Sequence, residues 1–247
     1  MVGILFVILF ILMLTVGGER GLTSFFALLF NILILIITIY MIVLGINPLI
    51  ASFICASALG LITLFYQNGL NEKTIAAFKS VVIITMALIL FAVIFCVKTG
   101  VAGLNEININ EEDTLYLSGD IQINMMMITV PMIVIGLMGA IIDTAIAVSS
   151  AAYEVVRNNP GISENELFLS GMNIGKSILG STMNTLIFAM IGESLMLFNL
   201  LMRYKYSFFD LINSAAFVET IAGTVFSAIG CALTIPLTSY IFMKQSK

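Results

Sequence analysis

The sequence predicts an all-α polytopic membrane protein with about seven transmembrane helices, and three observations carry that prediction. First, 60% of its 247 residues are hydrophobic and only 10% charged, against roughly 25% charged in a soluble domain. Its mean hydropathy is +1.14. Such a chain has too little polar surface to enclose its own core in water, so lipid must solvate most of its side chains. Second, apolar runs fall at about 2–17, 24–45, 49–66, 79–98, 124–150, 177–199 and 214–243, each near the ~20 residues that a spanning helix needs. Third, Lys and Arg are distributed unequally between alternate connections, which fixes an orientation.

The first run ends at Gly17-Gly18-Glu19-Arg20-Gly21. No Lys or Arg precedes it and the small-residue cleavage pattern is poor, so it reads as an uncleaved span rather than a signal peptide. With the N-terminus outside, seven basic residues fall inside: Arg20, Lys73, Lys79, Arg157, Lys176, Lys244 and Lys247. Three, Lys98, Arg203 and Lys205, fall outside. The reversed topology inverts that ratio, so N-out/C-in is expected. Spans one to four (residues 1–98) are mostly Leu, Ile, Val, Phe and Ala, with mild polar exceptions such as Asn31 and Ser52. Residues 99–123 follow as an acidic extracytoplasmic loop with Glu106, Glu111, Glu112, Asp113 and Asp120. It reads as a solvated loop, with a cation-attracting vestibule as the other reading. Residues 124–247 form a polar-faced three-span bundle, interrupted by a cytoplasmic loop at 151–176. In that loop Asn158-Asn159-Pro160-Gly161 marks a turn, and Ser163 with Glu166 gives a capping-box pattern before a short surface helix. The whole chain reads as a single transmembrane domain of the cell membrane.

Composition excludes several kinds of chemistry. The chain has no His, which removes Ser-His triads, HExxH zinc sites and His proton relays. Cys55, Cys96 and Cys231 are widely spaced without a CxxC, so they read as small core hydrophobes, and no metal or cofactor is expected. A net charge of -4 with ten basic residues argues against nucleic acid. No GxGD motif supports an intramembrane aspartyl protease, so the chain is not expected to be an enzyme.

Polar residues concentrate in the last three spans. In the fifth, positions 136, 140, 143, 147, 150 and 154 recur at steps of three and four, one helical face. That face carries Gly136, Ala140, Asp143, Ala147, Ser150 and Glu154, small and polar residues suited to close helix contact. Asp143 is its sharpest feature. A carboxylate inside a span costs about 2.5–3.5 kcal/mol on insertion scales, and its default role is a proton or cation site. The bland alternative is a carboxyl bonded to a neighbouring Ser or Asn. The sixth span has Asn173, Ser177, Gly180, Ser181 and Asn184 at helical spacing. These residues either orient Asp143 and line a path, or act as interhelical glue. The seventh has Glu219, Gly223, Ser227, Gly230 and Thr234 on one face, with Pro236 expected to loosen the helix. Glu219 reads either as a second ion-handling carboxylate on the outer side or as an exposed helix-start acid.

At these residues the chain resembles the YibE/F-like family of bacterial multipass membrane proteins. The likeness includes Gly17 to Leu22, Asn47-Pro48, Asn68 to Thr74, and above all Gly139-Ala140-Ile141-Ile142-Asp143, Ser170 to Lys176 and Met183 to Ile187. Gly230 through Thr238 resembles the closing pattern of the family, and Ser177 departs from it where many relatives carry an acid. The short length is similar to a YibF-type member, which implies a longer YibE-type membrane partner. Spans five to seven also resemble, over short motifs, the SecF/RND-type membrane core, which implies coupling to protons or Na+. Two functions are therefore expected to compete: a subunit of an ion-coupled transporter or export complex, and a non-transporting assembly or scaffold subunit.

Overall fold

A computed structural model describes residues 1–100, 126–203 and 205–246. The acidic stretch 99–123 lies almost entirely outside the described residues. The elements in order are α1 (Val2–Val43), α2 (Pro48–Leu61), a π-helical turn Ile62–Tyr66 that prolongs it, α3 (Glu72–Thr99), α4 (Met126–Asn158), α5 (Glu164–Arg203), the short α6 (Phe208–Ile212) and α7 (Ala215–Gln245). No strand occurs among the described residues. Six of these helices are long and apolar enough to cross a membrane, so the chain is an all-α multipass membrane protein.

The difference from seven apolar runs lies in α1. It runs from Val2 to Val43 with a kink inside it, where Gly18 adopts φ 55 and ψ -133, a conformation open to glycine and strained for other residues. The Phe10 and Phe25 rings lie 4.8 Å apart. A straight helix would separate those fifteen positions by about 22 Å. The chain therefore doubles back at Gly18, and α1 is two arms that match the first two runs. Gly21 sits inside the bend, where a Cβ would collide with the Met13 carbonyl.

Local chemistry sets the other boundaries. Asn47 accepts from the Leu49 amide with Pro48 at the first helical position, a favoured start. Asn71 and Thr74 form a reciprocal capping box at the head of α3, and Gly100 closes it in the left-handed conformation. Ser207 and Asp210 cap α6 in the same reciprocal way.

The stretch 151–176 is not the loop expected from sequence. Helix α4 continues to Asn158, and α5 begins at Glu164 with the Ser163–Glu166 capping pair. Only residues 159–163 connect them. The capping motif starts a forty-residue helix rather than a short surface turn, because the polar residues there occupy the ends of long helices.

Helix α4 is the hub and contacts α2, α3, α5 and α7. Leu137, Met138, Ile141 and Val134 are buried on its inner side with Leu88 of α3 and Phe226 of α7. Gly230 permits this crossing: a Cβ there would stand 2.7 Å from Ile141 Cδ1 and 3.0 Å from Leu88 Cδ1. Gly171 and Gly175 let α5 approach α7 at Ser239 and Ile235. The Thr238 hydroxyl donates to Ser80 at 2.7 Å, joining α7 to α3. Helix α7 stays helical through Pro236; these close contacts on either side hold the turn that proline was expected to loosen.

Candidate functional site

The depth of each polar residue follows from helix register. Lys79 and Lys98 bracket the apolar part of α3, nineteen positions apart. That is about 28 Å of helix, close to the ~30 Å hydrocarbon thickness of a bilayer. Leu88 lies halfway, and it meets Gly230 and Ile141. Those three residues mark mid-depth. Asp143 is two positions past Ile141, about 3 Å toward the Lys79 side. Thr144, the next residue, lies beside the Cys231 thiol, consistent with that level. Glu219 is within electrostatic reach of Cys96, near the Lys98 end. Along the helices Asp143 and Glu219 are therefore separated by about 20 Å.

A cavity of about 470 Å³ opens where α4, α5 and α7 meet. Gly136 and Met132 line its α4 wall, Met190 and Glu193 its α5 wall, and Glu219, Thr220, Thr224 and Ser227 its α7 wall. The hydroxyls of Thr220, Thr224 and Ser227 each donate to a carbonyl one turn back in their own helix. Glu219, expected as an outer-side acid, thus stands at a cavity together with Glu193, whose role there sequence reading missed. The signal was present in the spacing of Leu186, Met190, Glu193 and Leu197, which places Glu193 on one face with apolar residues. The seventh-span polar face divides: Glu219, Gly223 and Ser227 line the cavity, whereas Gly230 and Thr234 are buried in helix contacts.

Asp143 is not in that cavity. It is exposed on the outer side of α4 and makes no hydrogen bond or ion pair among the described residues. The rest of its stripe is uncovered as well: Gly136, Gly139 and Glu154 are exposed, and Ala140, Ala147 and Ser150 half-buried. The α5 stripe behaves alike, with Asn173, Lys176, Ser177, Gly180, Ser181 and Asn184 all exposed. None of Ser150, Glu154, Asn173, Ser181 or Asn184 bonds to Asp143. The hydroxyls of Ser177 and Thr185 turn instead to the carbonyls of Asn173 and Ser181. The two stripes therefore do not satisfy one another within the chain. The α4 stripe does begin in the cavity, at Gly136, and runs two helical turns to Asp143.

The exposed surface elsewhere is of another kind. On α3 the exposed residues Ile83, Met86, Leu90, Ile94 and Val97 are wholly apolar, as lipid contact requires. Between Lys79 and Lys98 no exposed side chain of α3 is polar, unlike the exposed faces of α4 and α5. Ser194, beside Glu193, adds a buried hydroxyl without a hydrogen-bond partner.

The model of the YibE/F-like protein family matches residues 5–246, and the chain belongs to that family. No curated protein and no solved structure matches it.

Proposed function

Taking membership of the YibE/F-like family as the premise, we propose that this chain is a subunit of an ion-coupled transporter or export complex of the cell membrane. It acts there beside a YibE-type membrane subunit. Asp143 is the proton or cation site. Glu219, with Glu193, collects cations at the cavity, and the small-residue face from Gly136 past Ala140 leads from there toward mid-depth. Ser150, Glu154, Asn173, Ser181 and Asn184 supply polar surface beside the path. The chain performs no catalytic step of its own.

The observation that carries this reading is the position of Asp143. A carboxylate without a partner near the middle of a span is costly to keep, and such residues mark ion or proton pathways. Its placement at the foot of a face that starts at two carboxylates adds to the case. The scaffold reading is favoured by one specific observation: Gly136, Ala140 and Ala147 present the kind of surface on which helices associate in lipid.

The two readings separate in proteoliposomes that hold this chain with its YibE-type partner. The expected result is a proton or Na+ flux in the wild type that Asp143→Asn abolishes while the complex still assembles. A flux that Asp143→Asn leaves intact overturns the assignment of Asp143. An assembled wild-type complex with no flux under either gradient favours the scaffold.

A further inference from the structure

We propose that two copies of this chain pair through the outer faces of α4 and α5, with Asp143 of each copy joined to Lys176 of the other. The inference goes beyond the ion-coupling proposal; it gives Asp143, the carboxylate that proposal uses, a partner in a second copy, and its cross-linking readout is separate from flux.

Depth is the first observation. Lys176 follows Gly175, which meets Ile235 of α7, and α5 runs antiparallel to α7. Lys176 therefore stands level with about position 234 of α7. Asp143, two positions past the residue that meets Gly230, stands level with about position 232. The two charges differ in depth by about 3 Å. A two-fold axis along the membrane normal leaves depth unchanged, so groups that pair across such an axis must share a level within one chain. An isologous interface has that symmetry: each residue meets its partner twice.

Charge and shape are the second and third. Both Asp143 and Lys176 are exposed, and neither makes a hydrogen bond or ion pair among the described residues. Each is expensive in lipid alone, and pairing with an opposite charge is how membrane proteins keep such groups. Contact of α4 with α4 would set Asp143 against Asp143. Contact of α4 with α5 of the second copy sets acid against base. The same registration brings Gly136–Ala140 level with Gly180–Asn184. A Cβ added at Gly139 or Gly180 would meet nothing within 4 Å, so the backbones are bare where a second helix would approach.

Disulfide trapping in native membranes tests the pairing, with the YibE-type subunit co-expressed. One tagged copy carries Gly139→Cys and a differently tagged copy carries Gly180→Cys. The native Cys55, Cys96 and Cys231 are buried and stay as background. The expected product is an oxidised species bearing both tags. Its absence, or adducts to the YibE-type chain alone, would overturn the proposal and leave the flux experiment untouched. A charge exchange guards against a merely misfolded variant. Asp143→Lys alone and Lys176→Asp alone should each lower the yield at least about tenfold, and the double exchange should restore it. Failure to recover in the double variant, at equal membrane insertion, refutes the ion pair.

Discussion

Two glycines in α5 show how much a single residue decides. Gly175 faces Ile235 so closely that a Cβ has no room, whereas Gly180 faces open space. Gly175→Ala should cost about 1–3 kcal/mol by overpacking, and Gly180→Ala should stay within about 0.5 kcal/mol in the isolated chain. Reversible unfolding in mixed micelles measures both, and equal effects would contradict the α5–α7 register on which the depth of Lys176 rests. Outside the spans, the Ser207 hydroxyl and amide donate to Asp210 and hold its carboxyl below the usual carboxylate range. A folded value below the unfolded one means that this cap is fully present above the unfolded value and is lost as pH falls through the folded value. Protection of the α6 amides, taken relative to intrinsic exchange at each pH, should therefore fall in acid, and Ser207→Ala should remove most of that pH dependence. Asp143 was legible in the sequence because an acid inside an apolar run has few explanations. Lys176 was not legible. It lies beside a polar stretch that reads as loop, and only the contact of Gly175 with Ile235 gives its depth.

At the scale of elements, helix positions were readable and helix ends were not. Apolar runs report where lipid begins and ends, and all seven runs are helical where described. Helices do not stop at the lipid boundary. Helix α5 continues well past it as a polar helix, so composition alone turned 151–176 into a loop. The capping pair Ser163–Glu166 was the better guide, because it specifies a backbone start regardless of solvent. The break at Gly18 is the reverse case: a single glycine, not a loop, divides two apolar runs and turns the chain. Gly18→Ala forces φ 55 on a residue with a Cβ and should cost about 1–2 kcal/mol. If the bend relaxes, the Phe10–Phe25 contact is lost. A cysteine pair at positions 10 and 25 should cross-link readily in the parent chain and poorly with Gly18→Ala. Equal yields would mean that the bend does not depend on glycine.

For the whole molecule, that bend decides a parity. If both arms of α1 cross the membrane, the chain makes seven crossings and its termini lie on opposite sides. If α1 crosses once, there are six and the termini share a side. The first arm, Val2 to Gly17, is only about 24 Å long, shorter than the hydrocarbon it would traverse, so crossing requires local thinning of the bilayer around it. The first arm favours crossing, because Ile4, Leu5, Val7, Ile8 and Ile11 are exposed around it without the charged face that an interfacial helix carries. An N-terminal tag should therefore be accessible on the same side as a reporter inserted at Asn110, and a reporter at Asn159 and a C-terminal tag should both lie on the other. Reporters at 110 and 159 on one side would break the connection through α4. An N-terminal tag on the side of the C-terminus would leave α4, α5 and α7 in place but make the first arm an interfacial hairpin that lies against the membrane without spanning it.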